Sequence, residues 1–358
     1  MIIEQDIDKL AEDAILFLKR LIATPSFSRE EQGTAALIQQ FFQSRGLVPS
    51  RTMNNVWIRN RHFDKKKPTL LLNSHHDTVK PNHQYTLNPF QPLEKDGLLY
   101  GLGSNDAGGC LVSLIAAFLH FYEQKDLKYN LVLAATAEEE ISGANGIEAL
   151  LPLLGKIDCA IVGEPTLMDM AVAEKGLMVV DCTIAGKAGH AAREEGENAI
   201  YKSLDYIRWF ETFRFPEVSP LLGPVKMNVT LVHAGTQHNV IPDECRFTAD
   251  IRLNECYTHE QVLAVIREHV KGEVTPRSTR LRSTFIADGH PLVQAGASLG
   301  LKSFGAVTMS DKALMPFPAL KIGPGDSARS HTADEYIKLE EITQGIHTYI
   351  SLLEAVLH

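Results

Sequence analysis

The stretch LLLNSHHDTVKP, residues 70–81, decides how the chain folds. It begins as an apolar run typical of a strand buried on both faces, and it stops abruptly at the polar sequence HHD. Similar Leu- and Val-rich runs follow in residues 129–139 and 156–165, and residues 108–124 have a helical apolar pattern. Strands that alternate with helices predict an α/β fold, with a mainly parallel sheet flanked by helices.

Length and composition restrict the class of protein. The 358 residues are enough for two domains, or for one large α/β domain with an insertion. The 35 Lys and Arg against 44 Asp and Glu give a formal net charge of -9, which argues against nucleic acid or a membrane surface as a partner. Residues 1–22 combine helical spacing with scattered acids, unlike a signal peptide, and no apolar run is long enough for a membrane helix. The five cysteines form no CxxC pair, which favours a cytoplasmic location.

The sequence pattern changes near Gly176. Beyond it, alternating strands and two helical patterns follow in the order β-α-β-β-α-β, which is typical of a small ferredoxin-like α+β unit. After about Ala287 the helix–strand pattern of the first part resumes. We therefore predict a discontinuous larger domain, residues 1–176 and 287–358, and a domain inserted at residues 177–286.

Five segments concentrate His, Asp or Glu. They are SHHDT (74–78), GSNDAGG (103–109), AEEEISG (137–143), IVGEPT (161–166) and GPGDSARSHTADEY (323–336). Because the carboxyl ends of parallel strands open on one crevice, we expect these segments to converge. Two histidines and three or four carboxylates form a nitrogen and oxygen ligand set for a divalent metal, Zn²⁺ first, with Mn²⁺ or Co²⁺ as alternatives.

The spacing within two of these segments has a chemical meaning. A ligating imidazole normally donates its second N–H to a carboxylate, and Asp77 stands two residues after His75 for that contact. In the pair Glu139-Glu140, one carboxylate can bind metal while the other takes a proton from water. More carboxylates than one ion needs indicate two metal ions that share a bridging carboxylate.

Other catalytic motifs do not fit the chain. GLGSND begins like a dinucleotide fingerprint, but Asp106 stands where the last Gly belongs. The sequence contains no HExxH, which excludes the thermolysin type of zinc hydrolase, and no GxSxG, which argues against an α/β-hydrolase serine nucleophile.

Taken in order, the five motifs resemble the metal-binding motifs of the M20 metallopeptidases, in the branch of the acetylornithine and acetyl-lysine deacetylases and succinyl-diaminopimelate desuccinylases. The resemblance extends over essentially the whole chain, because GKAGHAA (186–192) and GTQHNVIPDECR (235–246) resemble the family's lid-domain signatures. It implies a catalytic domain of the di-zinc exopeptidase type, whose inserted domain serves as lid and dimerisation domain of a homodimer.

The same resemblance implies a role for each motif residue. Asp77 orients a metal ligand, and Glu139 is the general base that takes a proton from water and delivers it to the leaving amine. The implied ligands are His75 and Glu164 on one ion, Glu140 and His331 on the other, and Asp106 as the bridge.

Further residues are implied to contact the substrate. His190 resembles the lid histidine that stabilises the oxyanion, although a plain loop histidine is the alternative. Asn239 and Arg252 resemble residues that hold the α-carboxylate, and for Arg252 surface ion pairing is the alternative. Gly323 and Gly325 are expected to let the backbone approach the substrate closely.

The implied activity is hydrolysis of the amide of an N-acylated amino acid, with N-acetyl-L-ornithine in arginine biosynthesis as the first candidate. N-acetylcitrulline, N-succinyl-ornithine or N-succinyl-citrulline, succinyl-diaminopimelate and a dipeptide are the alternatives. Arg329 stands two residues before His331, where its cation would either bind an acidic acyl group or point to solvent. A paralogue that has lost catalysis and serves as a binding or regulatory protein is the alternative from another class.

Overall fold

The computed structural model describes residues 7–358, so the part of the N-terminal prediction that falls on residues 1–6 lies outside the described residues. The helices are α1 (Ile7–Ile22), α2 (Gln32–Gln43), α3 (Gly109–Phe121), α4 (Ile147–Leu154), α5 (Ala199–Thr212), α6 (His259–His269), α7 (Pro291–Ser298) and α8 (Leu339–Leu357). The strands are β1 (Ser50–Thr52), β2 (Asn55–Arg59), β3 (Thr69–His75), β4 (Leu93–Lys95), β5 (Leu98–Tyr100), β6 (Asn130–Thr136), β7 (Cys159–Val162), β8 (Met170–Glu174), β9 (Gly176–Ala185), β10 (Gly189–His190), β11 (Lys226–Ala234), β12 (Val240–Ile241), β13 (Glu244–Leu253), β14 (Glu273–Pro276), β15 (Thr284–Phe285), β16 (Ser303–Ala306), β17 (Ala319–Lys321) and β18 (Tyr336–Lys338).

The first compact unit comprises the described chain up to Val172 together with Ile286–Phe304 and Ser310–His358. Its main sheet has the strand order β1-β2-β6-β3-β7-β17-β8. Strand β3 pairs in parallel with β6 and β7, and β7 pairs in parallel with β17, whereas the outer pairings are antiparallel. The predicted α/β class with a mainly parallel sheet is therefore confirmed.

Strand β3 shows why the unit has a core on each face of its sheet. All seven of its residues are buried, and successive side chains point to opposite faces. Leu70 and Leu72 pack in the cluster that includes α1, α3 and α8, whereas Leu71 packs in the cluster that includes α4. Burial on both faces explains the unbroken apolar run that precedes His75.

The second compact unit comprises Ala173–Phe285 and Gly305–Met309. Its antiparallel sheet has the order β11-β13-β9-β14, and Phe210 of α5 and Ile266 of α6 pack in its core. This arrangement of two helices on a β-α-β-β-α-β chain is ferredoxin-like. The domain limits predicted at 176/177 and 286/287 stay a prediction. In the described part of the chain, no helix is both long and apolar enough to cross a membrane.

Candidate active site

The parallel strands of the first unit deliver the predicted site residues to one edge of the sheet. His75 is the last residue of β3, Glu139 follows the end of β6 in a short 3₁₀ turn (Glu139–Ile141), and Glu164 follows the end of β7. The carboxyl ends of parallel strands are the usual binding edge of such sheets.

His75 lies at the centre of this edge and is 1 % exposed. Its Nε2 is 3.2 Å from Oδ1 of Asp106 and 3.7 Å from Oε1 of Glu164. Its Nδ1 lies 3.0 Å from the backbone oxygen of Asp77 and 3.4 Å from a carboxylate oxygen of the same residue. The backbone carbonyl of Asp77 is thus the nearer acceptor for an Nδ1–H of His75, which leaves Nε2 facing the two carboxylates.

His331 joins the same group from near the end of the chain. Its Nε2 is 2.9 Å from Oε2 of Glu140 and 3.6 Å from Oδ2 of Asp106. The two oxygens of Asp106 therefore face different histidines, as a bridging carboxylate requires.

Potential ligand atoms meet in two overlapping groups, in each of which all lie within 4.8 Å of one another. The groups are His75, Asp106 and Glu140, and His75, Glu139 and Glu164.

The Asp77 carboxylate also fixes the turn that carries the glutamate pair. It accepts the backbone N–H of Glu139 at 3.1 Å, that of Glu140 at 3.2 Å and the hydroxyl of Ser28 at 2.7 Å. Burial alone raises the pKa of Asp77, but the hydrogen bond with His75 and the one from Ser28 hold it below its usual value. A charged Asp77 therefore links the histidine strand to the glutamate turn.

The carboxyl groups of the site lie close together, and this shifts the pKa values of the residues among them. Burial, and then the charge of Glu164, raises the pKa of Glu139 well above its usual value. A hydrogen bond to Glu140 raises the pKa of His331 to about 9, in spite of partial burial. Glu139 therefore has the higher proton affinity that a general base needs, in a strongly anionic surrounding.

These residues fit divalent metal ions. Carboxylate oxygens and imidazole nitrogens are the donor types that Zn²⁺, Mn²⁺ and Co²⁺ take, and a cation offsets repulsion among carboxylates brought so close. The ligands that the resemblance implies, which stay a prediction, are the ones that would hold the ions: His75, Asp106, Glu140, Glu164 and His331.

Glu335 belongs to this site but is not among the residues predicted from the sequence. It is 2 % exposed, and its carboxyl oxygens accept the backbone N–H groups of Gly103, Asn105 and Asp106 at 2.9, 2.8 and 2.8 Å. Burial and the charge of Asp106 raise the pKa of Glu335 to about 8, against the opposing effect of these N–H groups.

Asp311 is a second buried carboxyl group that is not among the residues predicted from the sequence. It is 4 % exposed and accepts hydrogen bonds from Asn73 of β3 and Thr136 of β6, each at 2.8 Å. Burial raises the pKa of Asp311 to about 6. Asn73 and Thr136 indicate such a partner in the sequence, because polar side chains in fully buried strands need hydrogen-bond partners.

His76 has a different environment from its neighbour His75. It is buried, and its Nδ1 is 2.9 Å from the hydroxyl of Thr34 while its Nε2 is 2.9 Å from the backbone oxygen of Asn54. Burial lowers the pKa of His76 to about 4. Both ring nitrogens are thus engaged by structural partners.

Arg329 fits neither role expected for it, which were binding of an acidic acyl group and exposure to solvent. Its guanidinium forms a double hydrogen bond to Glu341, at 2.7 and 2.9 Å, and lies over the ring of Tyr336. Its side chain is only 13 % exposed. It is therefore neither a solvated cation nor a free fork for an acidic acyl group, because α8 supplies its carboxylate partner.

Gly323 and Gly325 are packed closely against the protein itself. A Cβ at Gly323 would lie 2.6 Å from the backbone oxygen of Glu164, and one at Gly325, whose φ is +89°, would lie 2.4 Å from Oδ1 of Asn105. The need for glycine is thus explained by these contacts, and the approach of a substrate to this loop stays a prediction.

The remaining predicted residues lie in the second unit. His190 is exposed, and its Nδ1 accepts the N–H of Ala192 at 3.1 Å. Asn239 is exposed. Arg252 donates from Nε and Nη2 to Asp250 at 2.8 and 3.1 Å. Its fork is thus engaged within its own strand, and the substrate roles of these residues stay predictions.

Comparison with known proteins defines the class. Residues 71–355 match the model of peptidase family M20/M25/M40, and the chain therefore belongs to this family of hydrolases that act on amide bonds. A succinyl-diaminopimelate desuccinylase from Psychromonas ingrahamii is 26% identical over 376 residues, which cover 96% of this chain and 98% of the relative.

Solved structures share the fold. Aminopeptidase PepT from Bacillus cereus has a TM-score of 0.76 at 19% identity, and the match covers 97% of this chain and 98% of that one. The YXEP protein from Bacillus subtilis, a dinuclear metal-binding peptidase of the M20 family, has a TM-score of 0.72 at 18% identity, over 98% of this chain and 99% of that one.

Proposed function

We propose that this chain is a two-metal amidohydrolase that removes the acyl group from an N-acylated amino acid. The observation that carries the proposal is the position of Asp106, which presents one carboxylate oxygen to His75 and the other to His331. Glu139, the proposed base, belongs to the overlapping group formed with His75 and Glu164. A binding or regulatory paralogue has no need for this free carboxylate.

The chemistry follows from the residues. Divalent ions, Zn²⁺ first, would polarise the amide carbonyl, lower the pKa of water and stabilise the developing oxyanion. Glu139 accepts a proton from the attacking water as the new C–O bond forms, and it delivers this proton to the leaving nitrogen as the C–N bond breaks. Asp77 orients His75 and holds the turn that positions Glu139.

For the substrate, we propose N-acetyl-L-ornithine, which yields acetate and L-ornithine. The engagement of Arg329 by Glu341 supports a neutral acyl group, because this cation is not free to bind a second carboxylate. Succinyl-diaminopimelate is the second candidate, supported by the desuccinylase relative. N-acetylcitrulline, N-succinyl-ornithine, N-succinyl-citrulline and dipeptides remain alternatives, because an acyl end group changes binding by only a few kcal/mol.

A panel of substrates tests this proposal. The purified protein, loaded separately with Zn²⁺, Co²⁺ and Mn²⁺, is assayed for kcat/KM on acetyl- and succinyl-ornithine, citrulline, lysine and diaminopimelate. We expect acetylornithine to give the highest value. Succinyl substrates that exceed it by an order of magnitude would refute the acetyl assignment, and hydrolysis of no N-acyl amino acid would refute the deacylase itself.

We further propose a cytoplasmic homodimer that forms through the second unit, with His190 as the oxyanion donor and with Asn239 and Arg252 at the substrate carboxylate. Exposed apolar side chains on the edge strand β11, Leu231 and Val232, support an interface there. Light scattering of the purified protein tests the dimer, and a monomer at micromolar concentration would contradict it.

A further inference from the structure

We propose that Glu335 is a positioning residue for the bridging carboxylate of Asp106. It ties the segment that carries His331 to the loop that carries Asp106, and so it supports both metal positions at once. This inference rests on the proposed two-metal function. We call Gly103–Gly108 the Asp106 loop and Ser330–Glu335 the His331 segment.

The backbone N–H groups of the Asp106 loop need a hydrogen-bond acceptor. Gly103 has φ +73°, and Asp106 has φ -115° and ψ 99°, so neither residue has helical geometry although α3 begins directly after the loop. The N–H of Asp106 is therefore not committed to a helical hydrogen bond. Buried N–H groups without partners are costly, so this irregular backbone depends on an acceptor from elsewhere.

Glu335 supplies that acceptor. Its Oε2 accepts the N–H of Gly103 at 2.9 Å, and its Oε1 accepts those of Asn105 and Asp106, both at 2.8 Å. Its backbone oxygen also accepts the N–H of Gly101 at 2.9 Å. Glu335 thus holds the chain just before the Asp106 loop, at Gly101, and three residues within the loop, including Asp106 itself.

The same segment contacts the carboxylate of Asp106. The hydroxyl of Ser330 forms a hydrogen bond with it, and Nε2 of His331 is 3.6 Å from its Oδ2. Glu335 follows His331 by four residues, so the hydrogen bonds from the Asp106 loop to the Glu335 carboxyl group hold His331 close to the bridge. Because the bridge serves both ions, its displacement should weaken both binding steps.

Asp334 offers a matched control. It is the neighbour of Glu335 in the chain and also accepts three hydrogen bonds, from the N–H groups of Thr86 and Leu87 and from the Thr86 hydroxyl. None of these donors belongs to the Asp106 loop. Loss of either carboxylate therefore removes three hydrogen bonds, mostly buried at Glu335 and mostly exposed at Asp334, but only loss of Glu335 removes the bonds to the Asp106 loop.

The test is a Co²⁺ titration of the full chain after metal removal with a chelator, followed by visible absorbance, with thermal unfolding as a second measurement. For Glu335→Ala we expect both Co²⁺ binding steps to weaken by about 10- to 100-fold. Asp334→Ala should leave both close to the native values, because none of the donors to Asp334 belongs to the Asp106 loop. Glu335→Gln, which keeps one oxygen for Asn105 and Asp106, should lie between them.

Each outcome decides the inference. If the native protein binds two ions, either of two results would overturn the inference. One is native Co²⁺ affinity in folded Glu335→Ala, and the other is an equal loss of Co²⁺ affinity in Asp334→Ala. If Glu335→Ala does not fold, Glu335→Gln decides, and unchanged affinity in that variant overturns the inference. A native protein that binds no Co²⁺ would refute the proposed two-metal function together with it.

Discussion

Adjacent histidines should respond in opposite ways to the same substitution. His75 faces the carboxylates of Asp106 and Glu164, whereas His76 contacts Thr34 and Asn54 on its two ring nitrogens. We expect His75→Ala to weaken metal binding by at least about 100-fold, because even residues that only support a ligand cost 10- to 100-fold. His76→Ala should keep both ions.

The cost of His76→Ala should instead appear in folding. Its two hydrogen bonds contribute about 1 kcal/mol each, and loss of a buried ring leaves a cavity worth roughly 1–2 kcal/mol. We therefore expect the free energy of unfolding to fall by about 3–4 kcal/mol, which is a large share of a typical 5–15 kcal/mol but leaves the protein folded.

The assay combines two measurements on each variant. Urea unfolding followed by circular dichroism gives stability, and mass spectrometry of the metal content after dialysis gives stoichiometry. Loss of metal in folded His76→Ala, or full metal content in His75→Ala, would refute the assignment of these two residues.

Three further predictions follow from particular contacts. The stability that protonated Asp311 contributes is present below its usual pKa of 3.8 and is lost as the pH rises through about 6. Asp311→Asn should therefore raise the free energy of unfolding of the metal-free protein at pH 7 by up to about 3 kcal/mol. Urea titrations should show no such gain below about pH 4. Gly325→Ala should lower the free energy of unfolding by at least about 1 kcal/mol, since φ is +89° and Oδ1 of Asn105 blocks the new Cβ, and a thermal shift near zero would contradict this. Chelator treatment should abolish hydrolysis, and added Zn²⁺ should restore it; full activity in the treated protein would refute metal dependence.

The sheet, and the meeting of polar segments at one of its edges, could be predicted from the sequence because both depend on local pattern. Strand β3 (Thr69–His75) lies between two parallel strands and is buried, so its sequence is an apolar run. The polar residues at its end interrupt this run and can be recognised in the sequence. His75 and the glutamate pair at 139–140 could therefore be placed at one edge of the sheet without coordinates.

Other features depend on contacts that no local pattern records. Glu335 stands in TADEY beside another acid, and nothing there indicates that it meets backbone N–H groups some 230 residues away. Arg329 pairs with Glu341 on α8, and this partner became known only with the fold. For such side chains, the sequence shows which chemical groups are present but not which residues they contact in the fold.

The most direct test of the central claim is Glu139→Gln, with metal content and hydrolysis measured on the same preparation. Gln keeps the shape of the side chain but cannot take up the proton, so we expect native metal content and a fall in kcat of about 10²- to 10⁴-fold. Hydrolysis at the native rate in the metal-loaded variant would contradict the role of Glu139 as the base.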